Sequence, residues 1–270
     1  MFNGNPPAGS LRLLKSGSGK SHYILYPERC TLSVMRYGLF SDVHSNLEAL
    51  EAVLAAMAKE RIEKFLSLGD TIGYAANPNE CLNLVRQLPA VTVAGNHDLS
   101  AAGHPILYEL YDEAREAAEW TAAQLTQESK NWIRSLPLVT REGDATLVHG
   151  SLVEPEKFLY TDKLSEIEQN FSLMETPFCF IGHSHFPWMM EEGAETAVTK
   201  ITCRTGKKYM VNVGSVGQPR DGDPRASYCV WDSDQRRIEL KRIEYDYKPT
   251  QRKILEAGLP SRFAKKLETG

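Results

Sequence analysis

The sequence lacks several features that define whole classes of protein. It has no apolar run approaching the roughly 20 residues that a membrane helix needs. Its five cysteines are scattered singly, without a C-x-x-C pair, so they predict neither a disulfide framework nor a zinc ribbon. Arg12 interrupts the only leucine cluster near the N-terminus, which argues against a signal peptide. We therefore expect a soluble protein of a reducing cytoplasm with no membrane partner.

An excess of positive charge is also absent. The 31 Lys and Arg residues against 35 Asp and Glu residues give a formal net charge of −4, and the pI is near 6.0. Such a surface offers little attraction for the phosphates of a long nucleic acid or for an anionic membrane. A chain of 270 residues with 42% hydrophobic content is instead typical of one large or two small globular domains.

Residues 1–34 differ in composition from the rest of the chain. Asn, Gly, Pro and Ser dominate there, and residues 16–21 read S-G-S-G-K-S, like a flexible linker. The end of this run resembles a phosphate-binding P-loop, but that motif needs a glycine where the chain has Leu14. The composition therefore predicts a flexible N-terminal tail over residues 1–34, followed by a single domain over residues 35–270.

From Met35 onward, short apolar runs alternate with amphipathic stretches, which predicts an α/β fold. Helices are predicted over residues 47–59 after a capping Asn46, at a start formed by Asn77 and Pro78, and in an insertion over residues 106–135. Segments 196–203 and 209–213 flank a T-G-K-K turn, which predicts a hairpin. The other strands are predicted over residues 37–40, 65–68, 91–94, 146–148, 178–181, 227–231 and 238–243.

Polar clusters follow five of the predicted strands. They are S-D-V-H from Ser41, G-D from Gly69, G-N-H-D from Gly95, H-G from His149 and G-H-S-H from Gly182. The carboxyl ends of strands in an open α/β sheet face one crevice, and glycines let the backbone turn sharply there. A single D-x-H or Gly-Asp pair is more often a turn or a cap. Five ordered clusters at strand ends, by contrast, predict one shared site.

The residue types in these clusters are ligands for divalent cations. They supply carboxylate, amide and imidazole groups without a thiolate, which favours Mn, Fe, Co, Ni or Zn. Two cations about 3.5 to 4 Å apart need a bridging ligand, and Asp70 is our candidate. Such a pair lowers the pKa of a shared water, so that hydroxide exists near neutral pH, and holds phosphoryl oxygens for in-line attack. The clusters therefore predict a hydrolase of phosphate esters.

The order of the clusters resembles that of the calcineurin-like metallophosphoesterase superfamily, which has D-x-H, G-D, G-N-H-[DE], H-G and G-H-x-H. The resemblance covers residues 35–243, and Met35 is similar to the usual first residue of such proteins. The S-D-V-H-S-N run from Ser41 and the G-S-V-G-Q-P-R run from Gly214 are most similar to the small bacterial and archaeal phosphoesterases. This resemblance implies a four-layer αββα sandwich, in which two mixed β-sheets lie between helices.

The resemblance also implies a role for each residue of the site. Two triads and one bridging carboxylate would hold the metals: Asp42, His44 and His185 for one ion, Asn96, His149 and His183 for the other, and Asp70 between them. His97 would act on the leaving group and Asp98 would orient His97. The expected cofactor is a pair of divalent ions, with manganese first and iron, cobalt, nickel or zinc as alternatives.

One departure from the family narrows the substrate. In protein serine/threonine phosphatases and in symmetrically cutting dinucleoside polyphosphatases, the second cluster continues as G-D-x-x-D-R-G, and its arginine helps to hold phosphate. Here the same stretch reads G-D-T-I-G-Y-A. Another arginine could take over, because its fork matches phosphate oxygens, and Arg220 and Arg225 are the candidates. The alternative for both is a surface salt bridge with Asp221 or Asp223.

Aromatic residues in the helical insertion allow two interpretations. Tyr108, Tyr111 and Trp120 could form a lid whose rings stack on a base, but their helical spacing favours packing in the core. His104, in the same region, is interpreted as an ordinary surface or core residue.

The sequence as a whole predicts a dinuclear metal-dependent hydrolase acting on a small phosphodiester or nucleotide, with phosphomonoesters next. Dinucleoside polyphosphates and phosphoproteins are the alternative substrates. A non-catalytic scaffold with the same fold is the alternative from another class. The intact ligand set and His97 favour the enzyme.

Overall fold

The computed structural model describes residues 11–15, 21–25 and 35–270. Within the predicted tail, strands β1 (Leu11–Lys15) and β2 (Ser21–Leu25) pair with each other in an antiparallel hairpin. The other residues of the tail, including the Gly19-Lys20 part of the P-loop-like run, lie outside the described residues. The flexible tail therefore stays a prediction.

The remaining elements combine strands and helices as the sequence predicts, but two strands (Val139–Glu142 and Trp188–Glu191) and two helices (Asn96–Ala101 and Leu164–Leu173) were not predicted. The strands are β3 (Arg36–Phe40), β4 (Lys64–Ser67), β5 (Ala90–Thr92), β6 (Val139–Glu142), β7 (Ala145–Val148), β8 (Phe178–Ile181), β9 (Trp188–Glu191), β10 (Lys200–Thr202), β11 (Tyr209–Asn212), β12 (Ala226–Asp232) and β13 (Arg237–Ile243). The α-helices are α1 (Leu47–Lys59), α2 (Pro78–Gln87), α3 (Asn96–Ala101), α4 (Asp112–Gln124), α5 (Gln127–Arg134), α6 (Leu164–Leu173), α7 (Lys248–Glu256) and α8 (Ser261–Lys266). Two 3₁₀ turns cover Pro105–Glu109 and Pro155–Lys157.

The strands from β3 onward form two mixed sheets. The first sheet has the order β10-β13-β12-β3-β4-β5, with parallel pairing only between β3, β4 and β5. The second has the order β6-β7-β8-β11-β9, with parallel pairing between β7, β8 and β11. Each sheet thus contains three parallel strands, on one side of the first sheet and in the middle of the second, whose carboxyl ends can carry a site.

Alternating side chains divide the strands between two cores. Leu39 of β3 and Leu66 of β4 lie in the core between the sheets, whereas Phe40 and Phe65 pack under α1 and α2. Trp231 of β12 is buried in the central core and stacks on Tyr37 with ring centroids 4.6 Å apart. Such an aromatic pair contributes about 0.5 to 1.5 kcal/mol beyond the burial of its surface.

Helices cover the outer faces of both sheets. α1 and α2 pack on the first sheet, and Ile167 and Phe171 of α6 pack on Val148 and Met210 of the second. The result is the predicted αββα sandwich. No helix in residues 35–270 combines the length and the apolar character needed to cross a membrane.

Capping chemistry explains where α1 begins but not where α2 begins. The predicted cap of α1 is present, because Asn46 Oδ1 accepts a hydrogen bond from the Ala49 backbone N–H at 3.1 Å. Asn77 precedes α2 as predicted, yet its side chain does not cap the helix. It instead accepts a hydrogen bond from Lys253 Nζ at 2.9 Å, which fastens α7 to the start of α2.

The predicted hairpin over residues 196–203 and 209–213 is wrong. β10 pairs with β13 in the first sheet, whereas β11 pairs with β8 and β9 in the second. The T-G-K-K turn therefore carries the chain from one sheet to the other. Turn residues specify a reversal of direction, but they do not specify which neighbour the next strand will find.

The insertion over residues 106–135 is helical but broken into three pieces. Extended backbone at Leu110 and Leu125 separates the first 3₁₀ turn from α4 and α4 from α5. Thr126 begins α5 anew, because its hydroxyl accepts a hydrogen bond from the Ser129 backbone N–H at 3.1 Å. The breaks change the direction of the chain, so that all three pieces contact α3.

Candidate metal centre

The predicted ligands meet where strands of both sheets end. Asp42 and His44 follow β3, Asp70 follows β4, Asn96 begins α3 after β5, His149 follows β7, and His183 and His185 follow β8. Backbone hydrogen bonds join the first two loops, since Asp42 N donates to Gly69 O at 3.0 Å and His44 N donates to Asp70 O at 3.0 Å. The structure thus gathers residues more than a hundred positions apart into one buried centre.

One group of ligand atoms comes from Asp42, His44 and His185, all buried. His44 Nε2 lies 3.1 Å from His185 Nε2 and 3.6 Å from Asp42 Oδ1, and His185 Nε2 lies 3.2 Å from Asp42 Oδ1. Ligand atoms that share one cation at about 2.1 Å are themselves about 3 to 3.4 Å apart. The spacing of this group therefore suits a single ion.

The second group contains Asp70, His149 and His183. Asp70 Oδ2 lies 3.2 Å from His149 Nε2 and 3.8 Å from His44 Nε2 of the first group. Its other oxygen, Oδ1, accepts a hydrogen bond from the His97 backbone N–H at 2.9 Å, which fixes the carboxylate in place. Asp70 thus stands between the two groups, where a bridging ligand is needed.

Several buried polar atoms of the centre have no hydrogen-bond partner among the described residues: Asp42 Oδ1, Asn96 Oδ1, His97 Nδ1 and His149 Nε2. An unsatisfied buried group costs about 1 to 3 kcal/mol, so a cluster of them calls for an explanation. Three of these atoms belong to predicted metal ligands and carry lone pairs that a cation can accept. The donor set therefore fits two divalent ions.

The imidazoles are oriented by backbone carbonyl groups. His44 Nδ1 lies 3.3 Å from Ile72 O and His149 Nδ1 lies 2.6 Å from Leu68 O, while His185 Nδ1 contacts Gln218 O. An N–H that donates from Nδ1 leaves the lone pair on Nε2, which is the atom turned toward the centre. Partners of this kind hold metal-binding imidazoles in the correct tautomer.

Burial and neighbouring charges prepare these groups for cation binding. Burial alone would raise the pKa of Asp42, yet His185 beside it holds that pKa well below its ordinary value. Burial lowers the pKa of His183 to about 3 and that of His185 to about 4. A charged carboxylate and neutral imidazoles are the forms that a metal ion requires.

His149 behaves differently from the other two. Burial lowers its pKa, but the nearby Asp70 carboxylate outweighs burial and raises the pKa to about 9. The same contact keeps the pKa of Asp70 below its ordinary value against the effect of burial. A cation bound beside the two side chains would displace the additional proton of His149, because metal binding displaces protons from its ligands.

The backbone at the centre adopts a conformation that few residues other than glycine tolerate. Five predicted ligands have positive φ: Asp42 at 54°, His44 at 50°, Asp70 at 52°, His183 at 69° and His185 at 66°. Each costs about 1 to 3 kcal/mol, and such residues concentrate at functional sites. Glycine is required beside them, because a Cβ at Gly95 would meet Asp70 Oδ1 and one at Gly182 would meet Ser41 Oγ.

His97 and Asp98 do not pair as the family resemblance implies. Asp98 makes no hydrogen bond to the His97 imidazole, because its Oδ1 and Oδ2 accept the backbone N–H groups of Ile72 and Gly95, each at 3.2 Å. Asp98 therefore fastens the loop after β4 to the start of α3, which corrects the expectation that it orients His97. Burial lowers the pKa of His97 to about 3, so its imidazole is neutral.

A cavity of about 180 Å³ opens over the centre, and its wall includes Asp70, Asn96, His97, His183, His185 and Arg220. A phosphate ester entering this cavity would meet the predicted ligands, His97 and one guanidinium together. That arrangement suits hydrolysis of a phosphate ester held by two cations.

The chain matches the family model of the calcineurin-like phosphoesterase superfamily domain over residues 35–236. The protein belongs to this superfamily. The family is one of metal-dependent phosphoester hydrolases, and the two ligand groups described above are consistent with that chemistry.

Relatives of known sequence and structure agree with this membership. The chain is 38% identical over 240 residues to an uncharacterized protein of Methanocaldococcus jannaschii, covering 86% of this chain and 97% of that protein. It is similar to a crystal structure of a metallophosphoesterase from Sphaerobacter thermophilus, with a TM-score of 0.79, 39% identity, and coverage of 88% of this chain and 99% of that one. A hypothetical protein from Pyrococcus horikoshii has a TM-score of 0.71 at 20% identity, with coverage of 86% and 97%, and shares the fold. The prediction of the fold class is confirmed.

The two candidate arginines have different surroundings in this phosphoesterase. Arg225 is exposed and forms an ion pair with Asp223, with Nε and Nη2 at 2.9 Å and 2.7 Å from the carboxylate oxygens. This is the surface salt bridge that was the alternative expectation. Arg220 instead lines the cavity, and its guanidinium lies 5.9 Å from the ring centre of Tyr74. Tyr74 occupies the position at which the phosphatases carry their phosphate-binding arginine.

The three aromatic side chains of the insertion have different surroundings. Tyr108 is 76% exposed, Trp120 is half-buried and packs beside α8, and Tyr111 lines the cavity while remaining 47% exposed. The expected core packing thus describes Trp120 only. His104 is exposed and its Nδ1 accepts a hydrogen bond from the Ile106 backbone N–H at 3.2 Å, which caps the 3₁₀ turn.

Two aromatic residues lie at the centre although the sequence did not indicate them as site residues. Tyr160 stacks on His183 with ring centroids 4.3 Å apart, and Tyr74 packs against both His44 and His97 at 4.5 Å. Tyr160 belongs to no motif, so its position in a loop after the H-G cluster was the only signal. Tyr74 could have been found, since it belongs to the G-D-T-I-G-Y-A run that begins with the G-D cluster.

Proposed function

We propose that the protein is a dinuclear metal-dependent hydrolase that cleaves a small phosphodiester or nucleotide, with phosphomonoesters next in preference. The observation that carries this proposal is the position of Asp70, 3.2 Å from His149 and 3.8 Å from His44, beneath a cavity. One carboxylate thereby reaches two groups of buried ligands. A single structural ion would need only one such group.

Each group of residues has a separate task in this proposal. The two divalent ions, with manganese as our first choice, would supply an activated water and neutralise charge on the phosphoryl oxygens. Asp42, His44 and His185 would hold one ion, and Asn96, His149 and His183 would hold the other. His97, which faces the cavity without belonging to either group, would act on the leaving group. Tyr160 covers His183 and limits the access of bulk water from that side.

The preference for a diester comes from the space around the site. A second cavity adjoins the cavity over the ligands at Tyr111 and Arg220, since both residues line the two. A phosphoryl group with two organic substituents can therefore be accommodated. A monoester would leave part of this space unfilled.

The experiment that tests the proposal is metal-dependent turnover of chromogenic esters. We expect the purified protein, stripped by a chelator and reloaded with manganese, to hydrolyse bis(p-nitrophenyl) phosphate with a higher kcat/KM than p-nitrophenyl phosphate. The stripped protein is the control and should be inactive. A higher kcat/KM for the monoester would overturn the diester preference, and absence of turnover with either ester would favour the scaffold.

Arg220 is proposed to bind the phosphoryl oxygens. Its guanidinium lies over the ring of Tyr74, the residue that stands in the sequence where related phosphatases have their phosphate-binding arginine. Arg220→Ala should lower kcat/KM by about 10²-fold, since hydrogen bonds to a charged group are worth about 1.5 to 3 kcal/mol each. Arg220→Lys should recover part of the loss, because a lysine keeps the charge but not the fork. Steady-state kinetics on the preferred chromogenic ester measures these effects.

Arg225→Ala is the matched control for this comparison. It removes the same side chain from the same loop, but one that is exposed and paired with Asp223. We expect its kcat/KM to stay within about twofold of the parent, as for most surface changes. Equal losses in both alanine variants would contradict the assignment of Arg220.

A further inference from the structure

The second cavity has a volume of about 350 Å³, and α8 forms one of its walls. It adjoins the cavity over the metal ligands, because Tyr111 and Arg220 belong to both. Its remaining wall residues are Phe186, Gln218, Arg262, Phe263 and Lys266. Arg262, Phe263 and Lys266 lie beyond residue 236, where the match to the family domain ends, and the other four wall residues lie within it. The cavity therefore combines residues of the family domain with residues of the helix that follows it.

The lining of the second cavity is positively charged. Three of its residues are cationic, and no acidic side chain in the described residues lines it. Arg262 is paired with Glu113 at 2.8 Å outside the lining, and Lys266 Nζ donates to Gly270 O at 2.9 Å. Each of these two side chains still has further N–H donors. The cavity is thus able to bind an anion.

Of the three cations, Arg220 has the weakest contacts with other described residues. Within residues 35–270 it forms no ion pair, and its Nη2 makes only long contacts of 3.4 Å to Tyr74 Oη and Gln218 Oε1. A guanidinium has five N–H donors in a fixed fork. Because Arg220 stands between the two cavities, it can contact the reacting phosphoryl group and a second anionic group on the far side.

Exposed aromatic rings stand beside these cations. Phe186 is 44% exposed and Tyr111 is 47% exposed, and the Arg262 guanidinium lies 5.6 Å from the ring centre of Tyr111. Small-molecule sites are typically apolar walls with a few polar groups, within a volume of about 300 to 1,000 Å³. Flat apolar walls together with cations suit a ligand that has both an aromatic ring and a negative charge.

We propose that the second cavity, lined by Tyr111, Phe186, Arg220, Arg262 and Lys266, binds a part of the substrate that combines an aromatic ring with its own anionic group. A nucleoside phosphate attached to the reacting phosphoryl group has this chemistry. This inference rests on the proposed hydrolysis of a phosphate ester. Binding to the cavity, however, can be measured without turnover.

The test uses two chromogenic diesters that differ only in a remote phosphate. They are thymidine 5′-(p-nitrophenyl phosphate) and its 3′-phosphorylated form, which share the reacting bond and the leaving group. With manganese-loaded protein, we expect kcat/KM to be about 10-fold higher for the form with the 3′-phosphate, the value of roughly one charge-assisted hydrogen bond. In the double variant Arg262→Gln, Lys266→Gln this ratio should fall to about 1.

Lys265→Gln is the matched control. Lys265 is an exposed lysine of α8 next to Lys266, but it does not line the cavity. The variant makes the same charge change on the same helix and should keep the 10-fold ratio. Loss of the ratio in this control would mean that overall charge, and not the cavity, recognises the remote phosphate, which would overturn the proposal.

Calorimetric titration separates the cavity from the reaction. Thymidine 3′,5′-bisphosphate should bind the parent protein about 10-fold more tightly than thymidine 5′-monophosphate, and the double variant should bind both alike. If both diesters are hydrolysed with equal kcat/KM and both nucleotides bind equally, the proposal for the cavity is wrong. If neither diester is hydrolysed but the difference in Kd persists, the cavity proposal holds and the proposed hydrolysis of diesters fails.

Discussion

Asp70→Asn is expected to lower metal content and turnover together, by more than the roughly 10 to 100-fold typical of residues that only support a ligand. Asparagine has nearly the same shape as aspartate but lacks its charge, so the loss should come from the missing carboxylate and not from repacking. Asp70 Oδ2 faces His149 of one ligand group and His44 of the other. Removing the charge therefore weakens both metal positions at once.

The measurement is metal content per chain by mass spectrometry, made on the same preparation that is assayed for kcat/KM. Asp98→Asn is the matched control, because Asp98 is an equally buried carboxylate that binds backbone N–H groups and no predicted ligand atom. We expect the control to keep two metals per chain and to lose activity only mildly. Two metals and full turnover in Asp70→Asn would show that Asp70 is not the bridge.

The places of the candidate metal ligands at the ends of strands could be predicted from sequence because each depends on a local pattern. His149 directly follows a buried strand, and His183 follows a strand and one glycine. A strand followed by a sharp turn places the next polar residue at the carboxyl end of the sheet, and this placement depends only on the local sequence. Convergence of the candidate ligands then follows from the three parallel strands of each sheet.

Features that depend on distant packing could not be predicted in the same way. Arg220 and Arg225 are five residues apart in one glycine-rich loop, yet one faces the cavity and the other pairs with Asp223. Nothing in the local sequence separates them, because the choice depends on where Tyr74 lies. The failed hairpin before Tyr209 has the same cause, since the partner strands β8 and β9 are set by the assembled sheet.

The contacts of Asp98 also differ from those that the sequence predicts. The family resemblance implies that Asp98 belongs to the site, but its contacts are with two backbone N–H groups and not with His97. One of these N–H groups, that of Gly95, lies at the start of a helix, where backbone donors lack partners within the helix. The motif alone therefore does not determine the contacts of Asp98, so the task of His97 needs its own test.

His97→Ala is expected to slow the hydrolysis of alkyl and nucleoside esters by about 10² to 10⁴-fold, the usual value of a positioned proton donor. His97 lies next to Asn96 and lines the cavity, yet it belongs to neither ligand group, so metal content should be unchanged. In the free protein its imidazole is neutral, because burial lowers its pKa. A bound phosphate ester brings negative charge beside the ring and favours the protonated form.

The leaving group distinguishes the two tasks that His97 could perform. An alkoxide has a high pKa and must be protonated as it departs, whereas p-nitrophenolate is stable enough to leave unaided. If His97 acts on the leaving group, the loss caused by His97→Ala should grow with the pKa of the leaving group in a series of esters assayed on both proteins. A loss of equal size across the series would place His97 on the phosphoryl oxygens instead, because charge there does not depend on the group that leaves.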